Sequence, residues 1–268
     1  MKIFAILNIT PDSFSDGGRF LDPDVALAHA RTLIEGGADA LDLGGAASNP
    51  EAEAVAPDVE IGRLAPVVAA LKNEGVSLSI DTFSPAVQRW AIAQGVDYIN
   101  DIQGFPDAAL YPELAASSAK LIVMHSVQGR GKATRIEVAP EEIFDRVRNF
   151  FEARIAALTA AGIARERLIL DPGMGFFLGS NPQASFEMLR RTEDLKCVFG
   201  LPVLVSVSRK SFLRKMTGRP PGESGPATLA AELFAMAKGA DCIRTHNPAA
   251  LRDTLAVWRG LAGEEMKA

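Results

Sequence analysis

Short apolar runs recur along the chain at intervals of roughly 20 to 45 residues, and each ends in a polar or charged residue. Ile3 to Leu7 runs into Asn8, Ala40–Leu41 into Asp42, Leu78 to Ile80 into Asp81, and Tyr98–Ile99 into Asn100 and Asp101. Further on, Leu121 to Met124 runs into His125, Leu168 to Leu170 into Asp171, and Val203 to Val207 into Ser208, Arg209 and Lys210. The last, at Ile243, runs into Arg244, Thr245 and His246. The runs are near-continuous rather than alternating, as expected for parallel strands buried on both faces. Helices are read between them over 22–36, 57–75, 85–95, 111–117, 140–162, 183–191, 210–216, 228–239 and 248–262. Several start near Pro and several stop at Gly. EGGADALDL, NEGVSLSID, AQGVDYIND and AKGADCIRTH share one grammar: a helix stops at Gly and a strand begins a few residues later. This alternation predicts an α/β chain folded as a (β/α)8 TIM barrel, whose active site gathers at the C-terminal strand ends. Asp81, Asp171, Lys210, Arg244 and His246 then belong to one pocket.

Three loops are long and rich in Gly, Pro or small polar residues: 9–20, 44–56 and 173–182. All follow strand ends, where long loops serve function more often than connection.

Composition narrows the class. A barrel of this kind takes about 250 residues, so residues 1–268 are read as one domain. A net charge of −5 and a pI near 5.4 argue against a nucleic-acid surface. No apolar run approaches the ~18 residues of a membrane span, and no leader segment stands at the start, so a cytoplasmic enzyme is expected. Cys197 and Cys242 lack metal-ligand spacing and are expected to be buried free thiols.

The strand-end groups offer specific chemistry. Asp81 and Asp171 are suited to the N–H edge of a planar heterocycle, the alternative being structural carboxylates that cap a helix or pair with Lys210. Asp42 and Asp101 are weaker versions of the same signal, with capping at least as good a reading. Lys210, near a helix start, could hold an anion or a heterocycle carbonyl, or be a solvated lysine. Arg244 and His246 close the eighth strand, where barrels often hold phosphate; bridging a carboxylate is the alternative for Arg244. Asn8 could ligate Mg2+ beside a pyrophosphate or be a turn asparagine. Phe176 and Phe177 could flank an aromatic ligand or simply anchor their loop.

ILNITPDSFSDGGRF (6–20), IDTFSPAV (80–87), YINDI (98–102), LDPGMGF (170–176), VSRKSFL (207–213) and IRTH (243–246) resemble the signature segments of the dihydropteroate synthases, in the family's order and over nearly the whole chain. The resemblance implies condensation of 6-hydroxymethyl-7,8-dihydropterin diphosphate with para-aminobenzoate, releasing pyrophosphate. It implies C–O cleavage first, leaving a pterin cation that the aromatic amine attacks. Asp81, Asn100 and Asp171 would hold the pterin edge, Lys210 the ring system, and Met124 the ring face. Asn8, Arg244 and His246, with Mg2+, would neutralise the diphosphate. Phe14, Asp16 and Pro50 would close over the reaction, Asp16 stabilising the cation and Pro50 walling the para-aminobenzoate site, which Ser208 and Arg209 would border. A homodimer is implied, through late helices.

Two departures stand out. Ala46–Ala47–Ser48–Asn49–Pro50 occupies the place of the family's Glu-Ser-Thr-Arg-Pro, so Asn49 replaces a cationic diphosphate contact; Ser48 and Asn49 can still donate hydrogen bonds. The stretch 175–179 carries a Phe-containing insertion. Both departures, with NDIQGFPD and VMHSVQ, resemble the sulfonamide-resistant branch of the family. The reading places Phe177 beside the para-aminobenzoate site, where a bulkier sulfonamide would clash. Three rivals fit less well. A corrinoid-linked methyltransferase domain would not need Asn8, Arg244 and His246. A non-catalytic barrel need not keep the key positions present here. A Schiff-base aldolase lysine projects from within a strand, whereas Lys210 opens a helix.

Overall fold

In the computed structural model, residues 1–10, 22–129 and 131–263 are described. The elements in order are β1 (Lys2–Asn8), α1 (Pro23–Glu35), β2 (Ala40–Gly44), α2 (Pro57–Leu71), β3 (Ser77–Asp81), α3 (Pro85–Gln94), β4 (Tyr98–Asp101), α4 (Tyr111–Ala116) and β5 (Lys120–Met124). There follow α5 (Ile143–Ala160), β6 (Leu168–Asp171), α6 (Pro182–Arg190), α7 (Thr192–Phe199), β7 (Leu204–Val205), α8 (Ser211–Thr217), α9 (Gly225–Ala237), β8 (Cys242–Thr245) and α10 (Pro248–Ala262).

The strands pair in parallel in the order β6-β5-β4-β3-β2-β1-β8-β7. A bridge between Leu170 and Val203 joins the two ends, with the Leu170 N–H donating to the Pro202 carbonyl at 2.9 Å. The result is the eight-stranded α/β barrel that the alternation predicts. β7 is shorter than its apolar run, 203–207. At the seam a single bridge, Leu170 with Val203, does not extend into a ladder.

Strand periodicity explains both the core and the site. The outward-facing set, including Ile3, Ala5, Leu7, Leu41, Leu43, Val123 and Leu170, packs under the helices. The inward-facing set begins with a buried layer of Phe4, Ala40, Tyr98, Ile122, Ile169, Leu204 and Cys242. Side chains two residues on point the same way. The next step along each of those seven strands is Ile6, Asp42, Asn100, Met124, Asp171, Ser206 and Arg244. Register then aligns Asn8, Gly44, Asp81 and Asn100 across four neighbouring strands.

Helix starts follow the sequence signals. Pro stands in the first turn of α1, α2, α3, α6 and α10, and Asp22, Asn181 and Asn247 cap α1, α6 and α10 through side-chain oxygens. The sequence reading misses α7. No Gly or Pro separates it from α6, and Arg191 alone makes the bend. That miss carries a second correction: Cys197 lies on the exposed face of α7, and only Cys242 is buried. No described helix is long and apolar enough to cross a membrane.

Candidate active site

A cavity of about 490 Å³ opens at the C-terminal strand ends. Ile6, Asn8 and Thr10 line it from β1 and beyond, residues 46–51 from the β2–α2 loop, and Asp81 from β3. Met174, Phe176 and Phe177 come from the β6–α6 loop, Ser206 and Ser208 to Ser211 from the segment between β7 and the start of α8, and Arg244 and His246 from β8 and just beyond it. Ser48, Asn49 and Pro50 are therefore all at its wall. Asn100, Met124 and Asp171 lie beneath, buried, as the floor. Phe14 and Asp16 fall outside the described residues.

The centre of the site is a cluster of charges. The Arg244 Nε donates to Asp42 Oδ2, and its Nη2 donates to Asp81 Oδ2 at 2.6 Å. Asn100 Nδ2 donates to the same Asp42 oxygen at 3.1 Å. Asp42, fully buried, keeps Oδ1 without a partner among the described residues. Arg244 thus bridges carboxylates in this structure while three of its five N–H groups remain for other acceptors. Burial pushes the Asp81 carboxyl up to about 7 against the pull of Arg244, with Asp42 adding to the rise. Burial likewise lifts Asp171 to about 6, although its Oδ1 accepts from the Gly173 N–H at 2.8 Å. The half-buried Lys210 ammonium is pulled down to about 8 by desolvation and by Arg244, with Asp171 and Asp81 resisting. Arg244 itself loses to burial but gains more from Asp42 and Asp81, and stays fully charged.

His246 is tied to Ser208: its Nδ1 lies 2.9 Å and its backbone N 3.2 Å from the Ser208 Oγ. Burial, then the cations of Arg209, Arg244 and Lys210, hold the imidazole well below its ordinary range, so it is neutral at pH 7. With the serine hydroxyl donating to Nδ1, Nε2 carries the hydrogen and can donate to an oxyanion.

Backbone conformation aims the two loops at the cavity. Gly173 and Gly175 have φ of +73° and +67°; a Cβ on Gly173 would come within 2.5 Å of the His125 carbonyl oxygen. Arg209 adopts φ +59°, unusual for a residue with a Cβ, and its N–H donates to Thr228 Oγ1 at 3.2 Å. Phe177 packs on Met124, Ile102 and Ala133, and the Lys210 Nζ stands 5.1 Å from its ring centre.

Two strand-end residues resolve as scaffold. Asp101 accepts from the backbone N–H groups of Gln103 and Phe105 and from Gln88 Nε2, shaping the turn after β4. His125 is buried beside the Pro172 carbonyl at 3.1 Å and packs edge-on to Phe150. Sequence reasoning missed the loop after β5. Ala133 and Arg135 line the cavity, the Ala133 N–H donates to the Ser48 carbonyl, Arg135 pairs with Glu51 at 2.6 Å, and the Arg135 guanidinium lies over Phe176 at 5.9 Å. Residues 126–139 carry no periodicity that would have pointed there. Arg214 was also missed, although its place four residues after Lys210 on one helix face was a usable signal.

Comparison with known proteins agrees with this geometry. Residues 4–246 match the family described as pterin binding enzyme. The chain is 61% identical over 259 residues to the dihydropteroate synthase type-2 of Escherichia coli, covering 97% of this chain and 95% of that protein. The structure of Xanthomonas albilineans dihydropteroate synthase with 4-aminobenzoic acid superposes with a TM-score of 0.88 at 36% identity, over 98% of this chain and 94% of that one. The Yersinia pestis dihydropteroate synthase in a sulfonamide drug complex superposes at 0.89 with 32% identity, over the same shares. A barrel with this strand-end cluster, matched over its length at these identities, belongs to the pterin-binding enzymes and, within them, to the dihydropteroate synthases.

Proposed function

We propose that this synthase joins 6-hydroxymethyl-7,8-dihydropterin diphosphate to para-aminobenzoate and keeps doing so when sulfonamides are present. Asp81, Asn100 and Asp171 receive the pterin edge, with Met124 below the ring and Lys210 beside it. A pterin that donates to Asp81 replaces part of the pull now supplied by Arg244, whose remaining donors, with the Nε2 of His246, face the diphosphate. The C–O bond breaks with its electron pair leaving on the diphosphate. The amine lone pair then forms the C–N bond, and the amine proton passes to the released pyrophosphate. Asp16 stabilises the cation, and Phe14, Asp16 and Pro50 exclude the water that would trap it. Pro50, Phe176, Ser208 and Arg209 border the aminobenzoate.

Mg2+ fits the site as a companion of the diphosphate. The Asn8 amide makes no side-chain hydrogen bond among the described residues, and Gly44 beside it leaves room: a Cβ there would come within 3.3 Å of Asn8 Oδ1. No group of three or more His, Cys, Asp or Glu among the described residues could hold a resident ion. One amide oxygen completed by phosphate oxygens and water suits Mg2+. When bound, the ion supplies charge neutralisation on the leaving group.

The observation that carries the sulfonamide half is the placement of Phe177. Its ring is fixed between the Met124 floor and Lys210, at the wall shared with Pro50, Ser208 and Arg209. A flat aniline carboxylate passes such a wall, whereas a sulfonyl group with a further substituent does not. We extend the proposal to a homodimer. Phe234 on α9 and Val257, Trp258 and Leu261 on α10 are exposed apolar residues on neighbouring helices.

The test is pyrophosphate release by purified protein, with and without para-aminobenzoate, across a sulfamethoxazole titration. Release that needs para-aminobenzoate and persists at high drug is expected. Release that the drug suppresses would leave the synthase and remove the insensitivity; no release would remove both.

A further inference from the structure

Among the described residues, five cationic side chains line the cavity: Arg135, Arg209, Lys210, Arg214 and Arg244. Arg135 is paired with Glu51, and Arg244 with Asp42 and Asp81. Lys210 is attracted by Asp171 and Asp81. Arg209 already borders the aminobenzoate in the reading above. Arg214 is different. It has no ion pair and no side-chain hydrogen bond among the described residues, yet its Nε is buried. The acid available on the following loop, Glu223, is held by Arg219 at 3.1 Å. A dry, unpaired donor on a charged group is costly, and an acceptor arriving with a ligand removes that cost.

Its place in the fold suggests which ligand. Lys210 is the N-cap of α8, and the Arg214 N–H donates to its carbonyl at 3.3 Å, so Arg214 sits one turn into the helix from Lys210. Helical side chains lean toward the N-terminus, and Arg214 lines the cavity together with Ser211 and Pro221. The first turn of α8 abuts the aromatic wall: a Cβ on Gly175 would stand 3.2 Å from Ser211 Oγ. The cavity wall formed by Phe177 and the start of α8 therefore includes a guanidinium that is unpaired among the described residues.

We propose that Arg214 binds the carboxylate of the amine substrate and sets the enzyme's preference for carboxylated anilines. This rests on the synthase reading. A planar carboxylate accepts two parallel bonds from a guanidinium fork. A tetrahedral sulfonyl group does not match that fork, so the contact also favours substrate over drug.

Arg214→Met keeps the apolar stem and removes the fork, and Arg214→Lys restores the charge alone. Kinetics are measured with para-aminobenzoate and with para-aminobenzamide, and melting curves check that each variant folds. Arg214→Met is expected to raise KM for para-aminobenzoate about 10- to 100-fold, with kcat within about twofold and KM for the pterin diphosphate unchanged. Its preference for acid over amide collapses, and Arg214→Lys recovers part of it. An unchanged KM for para-aminobenzoate in folded Arg214→Met, or a loss that falls on the pterin diphosphate instead, overturns the proposal. If the wild-type protein turns over neither amine, the synthase reading fails. Calorimetric binding of para-aminobenzoate in the presence of pyrophosphate then decides: equal affinity in wild type and Arg214→Met overturns the role of Arg214, and weaker affinity in the variant supports it.

Discussion

Arg244, at the end of β8, donates to Asp81, at the end of β3, at 2.6 Å across the barrel mouth. Two strands, β1 and β2, lie between them in the sheet. The residue assigned to the diphosphate and the residue assigned to the pterin edge are therefore one electrostatic unit, with Asp42 as its buried third member. On the proposed reading, a ligand that claims Asp81 frees donors on Arg244, so the two halves of the pterin diphosphate would be received together.

Removing the cation should expose the cost of that unit. Arg244→Met leaves the buried Asp42 and the half-buried Asp81 without their counter-charge, and a loss of about 3–5 kcal/mol in unfolding free energy is expected. Arg244→Lys should recover less than half, because one ammonium cannot reach both carboxylates as a fork does. Urea denaturation of the three proteins measures this, and equal midpoints would rule out the cluster as a stability element.

Phe177→Gly, or deletion of the inserted residues, should restore inhibition by sulfamethoxazole by at least about tenfold while KM for para-aminobenzoate changes little. Phe177 is buried against Met124 and Ala133, so a cavity penalty of about 3–5 kcal/mol accompanies the glycine. Phe177→Leu keeps more volume and should give an intermediate result. Inhibition unchanged in both variants would show that the ring does not screen the drug.

The pH profile should have an alkaline limb near 8. Lys210, lowered to about 8, loses its charge above that pH, and kcat/KM for the pterin diphosphate should fall there. Lys210→Arg should move the limb upward. Stability has its own signature at acid pH. Asp171 is held at about 6 against an ordinary 3.8, so the folded state binds more protons than the unfolded one between those values. Stability from this group is complete below about 3.8 and is lost as pH rises through 6, on the order of 3 kcal/mol. Asp171→Asn should flatten that slope, as read by thermal melting across pH 4–7.

Asp101 should behave as scaffold. Asp101→Ala removes the acceptor for two backbone N–H groups and the Gln88 amide, at about 1–3 kcal/mol for each buried donor left unpaired. Among molecules that fold, kcat and both KM values should match wild type. A selective loss of pterin affinity would return Asp101 to the site.

Ser208→Ala removes the hydroxyl that fixes the His246 ring. A fall in kcat of about tenfold is expected, with KM for para-aminobenzoate less affected. An unchanged kcat would separate the imidazole from the chemistry.

Most of the barrel was legible because burial on both faces forces parallel strands into apolar runs, and because Gly and Pro mark the helix ends. Asp81, Lys210, Arg244 and His246 could be placed at one mouth for the same reason, since each follows such a run. α7 escaped because its boundary with α6 carries no punctuation. The strand-end pattern gave Asp42 and Asp101 the same weight. Only the register, which turns Asp42 inward above Ala40 beside Asn100, and the turn that Asp101 caps, separate them.

What the amino-acid order determined by itself was the periodicity of the elements and the chemistry carried to each strand end, because those depend on neighbours in the chain. Tertiary structure alone decided which charges meet: that Arg244 spans Asp42 and Asp81, that Ala133 and Arg135 line the cavity with Arg135 against Glu51 and Phe176, and that Arg214 is left unpaired among the described residues. These are long-range relationships, set by barrel closure and strand stagger, and no local pattern encodes them.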